Sequence, residues 1–112
     1  RQGVALLVGA DLEGAYKVPG FGYIDELKHF KEAGLSNHDI LKAACYNMAI
    51  ARKEENQWGT IRIGALADLV ILSQNPLSNI EHLNSVEGIV LNGIFHSREE
   101  LAKRLGSLPK LN

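Results

Sequence analysis

The spacing of apolar and polar residues changes period several times along the chain, and each change predicts an element. Val4-Ala5-Leu6-Leu7-Val8 is an unbroken apolar run, the pattern of a strand covered on both faces as in a parallel sheet. It ends in Gly9-Ala10-Asp11. The AYKVPGFGY stretch that follows Gly14 carries Pro19, Gly20 and Gly22, which predicts a loop. From Ile24 the period turns helical, with Ile24, Leu27 and Phe30 on one face, acids early and lysines late, the order that suits the helix dipole. Gly34 is placed as a left-handed C-cap, with Leu35 to make the contact beyond it. A second helix is predicted from its Ser36 cap, with Asp39 at the N3 position, to about Arg52. Its stripe of Leu41, Ala44, Cys45, Met48 and Ala51 makes Cys45 and Met48 core residues. Beyond the polar KEENQWG linker the pattern becomes β. Thr60 to Ile63 alternates, Asp68 to Leu72 is a strand, and Ser85 to Phe95 is a hairpin turned by Asn92-Gly93. Ser97, with Glu100 three residues on, caps a last helix carrying Leu101 and Leu105.

Composition narrows the possibilities. With 112 residues, 46% of them hydrophobic, the chain has material for one core. A net charge of -1, without a basic patch interleaved with aromatics, argues against a nucleic-acid or membrane-surface partner. No apolar run approaches the roughly 18 residues of a membrane span. Cys45 is the only cysteine, which rules out an internal disulfide and a Cys-based zinc site and fits a reducing compartment, so the expected location is the cytoplasm. The chain opens on Arg1-Gln2-Gly3 without a Met and enters a parallel-type strand for which it offers few neighbours. It is therefore expected to be part of something longer.

Several chemistries are absent. Gly9 and Gly14 have the glycine spacing of a phosphate loop, but Ala15-Tyr16 stand where Lys and Ser or Thr would touch phosphate and magnesium. The four histidines, His29, His38, His82 and His96, form neither H-x-H nor H-E-x-x-H, and no G-x-S-x-G is present. Asp11 is left open by the residues alone. Chemistry in parallel α/β folds sits just past the carboxyl ends of strands, yet Asp is also a common turn former.

The segment GTIRIGALADLVIL resembles the signature of the metal-dependent amidohydrolase superfamily, with its imidazolonepropionase-like and prolidase-like members. Gly59, Ile61, Gly64, Ala67, Asp68, Leu69, Val70 and Leu72 fit the pattern G-x-I-x-x-G-x-x-A-D-L/F-V-x-L in register. Asn75-Pro76-Leu77, Val90-x-Asn92-Gly93, EAGLS and AACYNMA extend the likeness over residues 4 to 97.

The resemblance implies an α/β parent, a (β/α)8 barrel, of which this chain is an α+β C-terminal portion. Residues 1–56 would hold the last barrel strand, the site loop and two helices; 57–97 part of the small β-sandwich; 98–112 a terminal helix and tail. It implies that Asp11 is both metal ligand and catalytic general base, taking a proton from the attacking water and passing it to the departing amine. Glu13, Tyr16 and Tyr23 become candidate substrate-loop residues. Gly59, Gly64, Ala67, Asp68, Asn92 and Gly93 are structural positions. The sequence departs from the family at Ala10, where a hydroxyl residue is usual, at Ile24, where the loop's L-H-x-E-L pattern has His, and at Cys45, where Thr is common. The implied cofactor is a divalent metal, zinc, whose other ligands (two His of the first strand, a bridging carboxylate or modified Lys, two further His) lie upstream of this sequence. The expected activity of the parent is hydrolysis of carbon–nitrogen bonds in a small-molecule substrate, with the chain by itself inactive and metal-free. The expected partner is the missing N-terminal barrel segment, on the same or a separate polypeptide, or further copies of the chain in a homo-oligomer. A non-catalytic, self-associating module is the alternative.

Overall fold

The computed structural model describes residues 3–9 and 21–107. Four α-helices, one 3-10 helix and a three-stranded sheet make up the described part, an α+β arrangement. Helix α1 spans Phe21–Glu32, α2 Asn37–Ala44, α3 Tyr46–Ala51 and α4 Arg98–Gly106. No described helix is long and apolar enough to cross a membrane.

Helix α1 begins three residues before the predicted start and includes Gly22 and Tyr23. Glycine in a first turn costs at most about 1 kcal/mol relative to Ala, which Leu27 and its neighbours outweigh through burial. The helix ends in a Schellman motif: Leu35 N–H donates to Phe30 O at 3.1 Å and Gly34 N–H to Lys31 O at 3.0 Å, with Gly34 at φ 91°. Ser36 caps α2 by accepting from the Asp39 N–H at 3.1 Å.

The predicted second helix is two helices. Cys45 breaks it with φ -120° and ψ -73°, and α3 starts afresh at Tyr46. The buried face is also shifted. Ile40 and Ala43 are buried in α2 and Ala49 in α3, while Cys45 is exposed, which corrects its placement in the core. Leu41 and Ala44 are half-buried at the edge of the same stripe. An apolar arc of Ile40, Leu41, Ala43 and Ala44 does not say which edge faces inward; the partners Val8, Leu27 and Ile80 decide it. Each large aliphatic side chain buried there contributes about 1.5–3 kcal/mol. Helix α3 closes on Lys53 in the left-handed region (φ 59°), again with Schellman bonds, Glu54 N–H to Ala49 O and Lys53 N–H to Ile50 O, both 2.9 Å.

The sheet is antiparallel in the order β1 (Leu69–Leu72), β2 (Val86–Leu91), β3 (Ile94–Ser97). The β1–β2 pairing carries an irregularity between Ile71 and Leu72. The 3-10 helix Ile80–Asn84 joins β1 to β2 and seals the core with Ile80. Two predicted strands are not formed among the described residues. Residues 4–8 have no ladder partner, and Thr60 to Ile63 is irregular, with Ile61 and Ile63 88% and 105% exposed. A strand exists only by pairing, and no other described strand lies beside either segment.

Helix α4 leans on the sheet through its cap. Ser97 accepts from the Glu100 N–H at 3.2 Å, and the Glu100 carboxylate lies 3.1 Å from His96 Nδ1 and accepts from Arg104 at 2.6 Å. The His96 hydrogen bond, chiefly, holds the Glu100 carboxyl below its ordinary range. Glu100 therefore contributes stability above the ordinary carboxyl pKa, and that contribution is lost as pH falls through the lowered value.

Candidate functional site

The apolar run is the approach to Asp11. Asp11 itself, with Glu13 and Tyr16, lies outside the described residues. What the structure describes is how the chain arrives there. Val8 is 7% exposed and packs in the core with Leu27, Ile40 and Ala43. Two residues earlier, Leu6 O accepts a hydrogen bond from Asn47 Nδ2 at 2.9 Å. Asn47 stood in the sequence only as the N of AACYNMA, and its bond to Leu6, a residue 41 positions away, is not legible there.

Tyr23 sits in the first turn of α1 rather than on a loop, with its hydroxyl donating to Ala44 O at 3.4 Å. Partial burial, and secondarily the Cys45 thiol, push its phenol up from the ordinary tyrosine pKa. Although Cys45 as a residue is exposed, the atoms packed around its sulfur push the thiol up from its ordinary pKa, which disfavours the nucleophilic thiolate. Cys45 lies in an open cavity of about 640 Å³ with His38, Lys42, Tyr46, Gly59 and Leu77 among its walls.

The signature residues form a separate structural cluster. Asp68 Oδ1 accepts from the Asn92 N–H at 2.6 Å, and Ala67 O accepts from the Gly93 N–H at 3.0 Å. Asn92 and Gly93, at φ 50° and 78°, make the positive-φ pair of a type I′ hairpin turn. Asp68 thus ties the start of β1 to the β2–β3 turn. Gly59 (φ 89°) lies against α3, where a Cβ would come 2.8 Å from Ala49 Cβ and 3.1 Å from Cys45 O.

Among the described residues no group of three or more His, Cys, Asp or Glu could hold a metal ion. His29 pairs with Glu32, His82 Nδ1 lies 2.8 Å from Asn75 O, and His96 is held by Glu100. The described residues alone do not fit a metal centre.

Against known proteins, the Amidohydrolase family profile matches residues 1–95. This chain belongs to the amidohydrolase family. No curated protein matches it. Among solved structures, the amidohydrolase chain is similar to a Xaa-Pro dipeptidase with methionine bound in the active site, at 25% identity over 67% of this chain and 18% of that one, TM-score 0.63. It is similar to an uncharacterized protein at 30% identity over 68% of this chain and 20% of that one, TM-score 0.60. Molinate hydrolase shares the fold at 24% identity over 81% of this chain and 19% of its own, TM-score 0.64. The chain thus spans about a fifth of the length of each.

Proposed function

We propose that the chain is the C-terminal part of a metal-dependent amidohydrolase that hydrolyses carbon–nitrogen bonds of small amides, and that Asp11 is its contribution to the catalytic site. The observation that carries this reading is the order of parts. An apolar run seated by Val8 ends in Gly9-Ala10-Asp11, and two helical stretches and the ADLVIL signature follow, all within the matched span. The reading assigns residues 1–56 to the end of a barrel, 57–97 to part of a β-sandwich and 98–112 to a terminal helix and tail. The exposed Thr60 to Ile63 segment supports it, since an alternating segment with both isoleucines in solvent has no covering neighbour among the described residues.

A divalent metal, zinc in this reading, would be held in part by Asp11 and would supply a water of lowered pKa. Asp11, being a carboxylate, accepts a proton from the attacking water and delivers it to the leaving nitrogen, which departs poorly without one. The remaining ligands come from the rest of the protein. That upstream segment is also the partner that covers the apolar run, and the protein acts in the cytoplasm. The Xaa-Pro dipeptidase likeness makes Xaa-Pro dipeptides the first substrates to try.

The 112-residue chain on its own is expected to bind no stoichiometric zinc by mass-spectrometric metal analysis and to leave dipeptides and cyclic amides intact, because one carboxylate falls short of the usual three protein ligands. Tight zinc binding with turnover by this chain alone would overturn the reading.

A further inference from the structure

We infer that Asn92 is a site of spontaneous deamidation, and that Asp68 and the carbonyl of Ala67 set its rate by clasping the turn in which it lies. Asn92 is exposed at the tip of the β2–β3 hairpin and precedes Gly93. No other asparagine of the chain precedes a glycine. The neighbour matters to the chemistry. A side chain shields its own amide nitrogen from the asparagine before it, whereas glycine has no Cβ and leaves that nitrogen open.

The reaction runs between these two residues. Hydroxide takes the proton of the Gly93 amide, and the nitrogen attacks Cγ of Asn92. The bond from Cγ to Nδ2 breaks, and the leaving nitrogen takes a proton from water and departs as ammonia. A five-membered succinimide remains. Water then adds to one of its two carbonyls. Opening on one side gives aspartate; opening on the other gives isoaspartate, whose main chain runs through the former side-chain carbon. One water is consumed, one ammonia is released, and nothing is oxidised or reduced.

The fold restrains both the nucleophile and the torsion. The Gly93 N–H donates to Ala67 O at 3.0 Å, so the attacking nitrogen keeps its proton on a partner. One residue earlier, the Asn92 N–H donates to Asp68 Oδ1 at 2.6 Å. Ring closure requires rotation about the Asn92 Cα–C bond. That rotation pulls Gly93 away from Ala67 and disturbs the Leu91–Ile94 pair that the turn closes. Attack therefore waits for the clasp to open. A single hydrogen bond biases such an opening by about three- to tenfold, and two bonds and a strand pair act together here. The isoaspartate product adds a carbon to the main chain of a two-residue turn that fixes the β2–β3 register, so the modified hairpin is loosened.

The test ages the whole protein in mildly alkaline buffer, folded and in denaturant, and follows the peptide bearing Asn92 by mass spectrometry. The amide-to-acid mass gain at Asn92 is expected in both, at least about tenfold slower in the folded protein. That slowing is expected to match the hydrogen-exchange protection of the Gly93 amide within about threefold, a comparison that needs no variant. Asp68→Ala removes the acceptor and is expected to speed both deamidation and Gly93 exchange about three- to tenfold, with the circular dichroism unchanged. Asp68→Asn keeps an oxygen acceptor and is expected to age at close to the wild-type rate. Asn92→Gly, which suits the positive φ, is expected to abolish the gain in this peptide. No mass gain at Asn92 in denaturant overturns the site. Equal rates in folded and denatured protein, or a folded Asp68→Ala variant that ages like wild type, overturn the clasp.

Discussion

Gly59→Ala is expected to destabilise the protein by about 2–5 kcal/mol, against about 1–2 kcal/mol for Gly64→Ala. Both signature glycines have positive φ, 89° and 87°, where any side chain strains the backbone by about 1–2 kcal/mol. Only Gly59 also meets a wall. Its Cβ would sit 2.8 Å from Ala49 Cβ and 3.1 Å from the carbonyl oxygen of Cys45, whereas a Cβ on Gly64 meets nothing within 4 Å. Overpacking of this kind adds about 1–3 kcal/mol, because Ala49 is fully buried and a backbone carbonyl cannot swing aside as a side chain does. Chemical denaturation of the two variants against wild type checks it. Equal costs at the two glycines would contradict the claim that Gly59 is fixed by its approach to α3 rather than by its turn alone.

Asp11→Asn in the whole protein is expected to lower turnover by about 10²–10⁴-fold, the usual worth of a positioned general base, while folding stays intact. The amide has the shape of the carboxylate but takes no proton at neutral pH and offers a weaker oxygen to a cation. Changes at the neighbouring candidates should read differently. Glu13→Gln and Tyr16→Phe are expected to act mainly on KM, as substrate contacts do. Tyr23→Phe removes a hydroxyl whose partner is the Ala44 carbonyl at the α2 end, so it should change little. Rates per mole of protein, with circular dichroism to confirm the fold, settle the comparison. An Asp11→Asn protein with wild-type turnover would remove Asp11 from the chemistry.

Much of the local structure was legible because it is written in short-range chemistry. The Ser36 and Ser97 caps, the Gly34 C-cap and the Asn92-Gly93 turn each depend on a few adjacent residues, and each occurs in the structure. What failed depends on partners distant in sequence. Thr60 to Ile63 has a strand's alternation, but pairing needs a second strand that the described residues do not supply. The inward face of α2 was misjudged by one position because Val8, Leu27 and Ile80, not the helix's own pattern, choose it. The break at Cys45 was invisible, since no Gly or Pro marks it; its consequences are the contact between Gly59 and Ala49 and the bond from Asn47 to Leu6. At the site, Gly9-Ala10-Asp11 and the signature were legible as a pattern resembling a family, and the match over residues 1–95 places the chain in that family. The hydrogen bond that seats the run was not legible, because a side chain 41 positions away supplies it.

The central claim is that this chain supplies Asp11 to a metal-dependent hydrolase of carbon–nitrogen bonds. The most direct measurement strips the whole protein with a chelator, follows metal content and hydrolysis of Xaa-Pro dipeptides and other small amides together, and then restores zinc. The account predicts that activity falls in step with the metal and returns with it. Full hydrolysis by metal-free protein, or an active preparation that never holds stoichiometric metal, would contradict it.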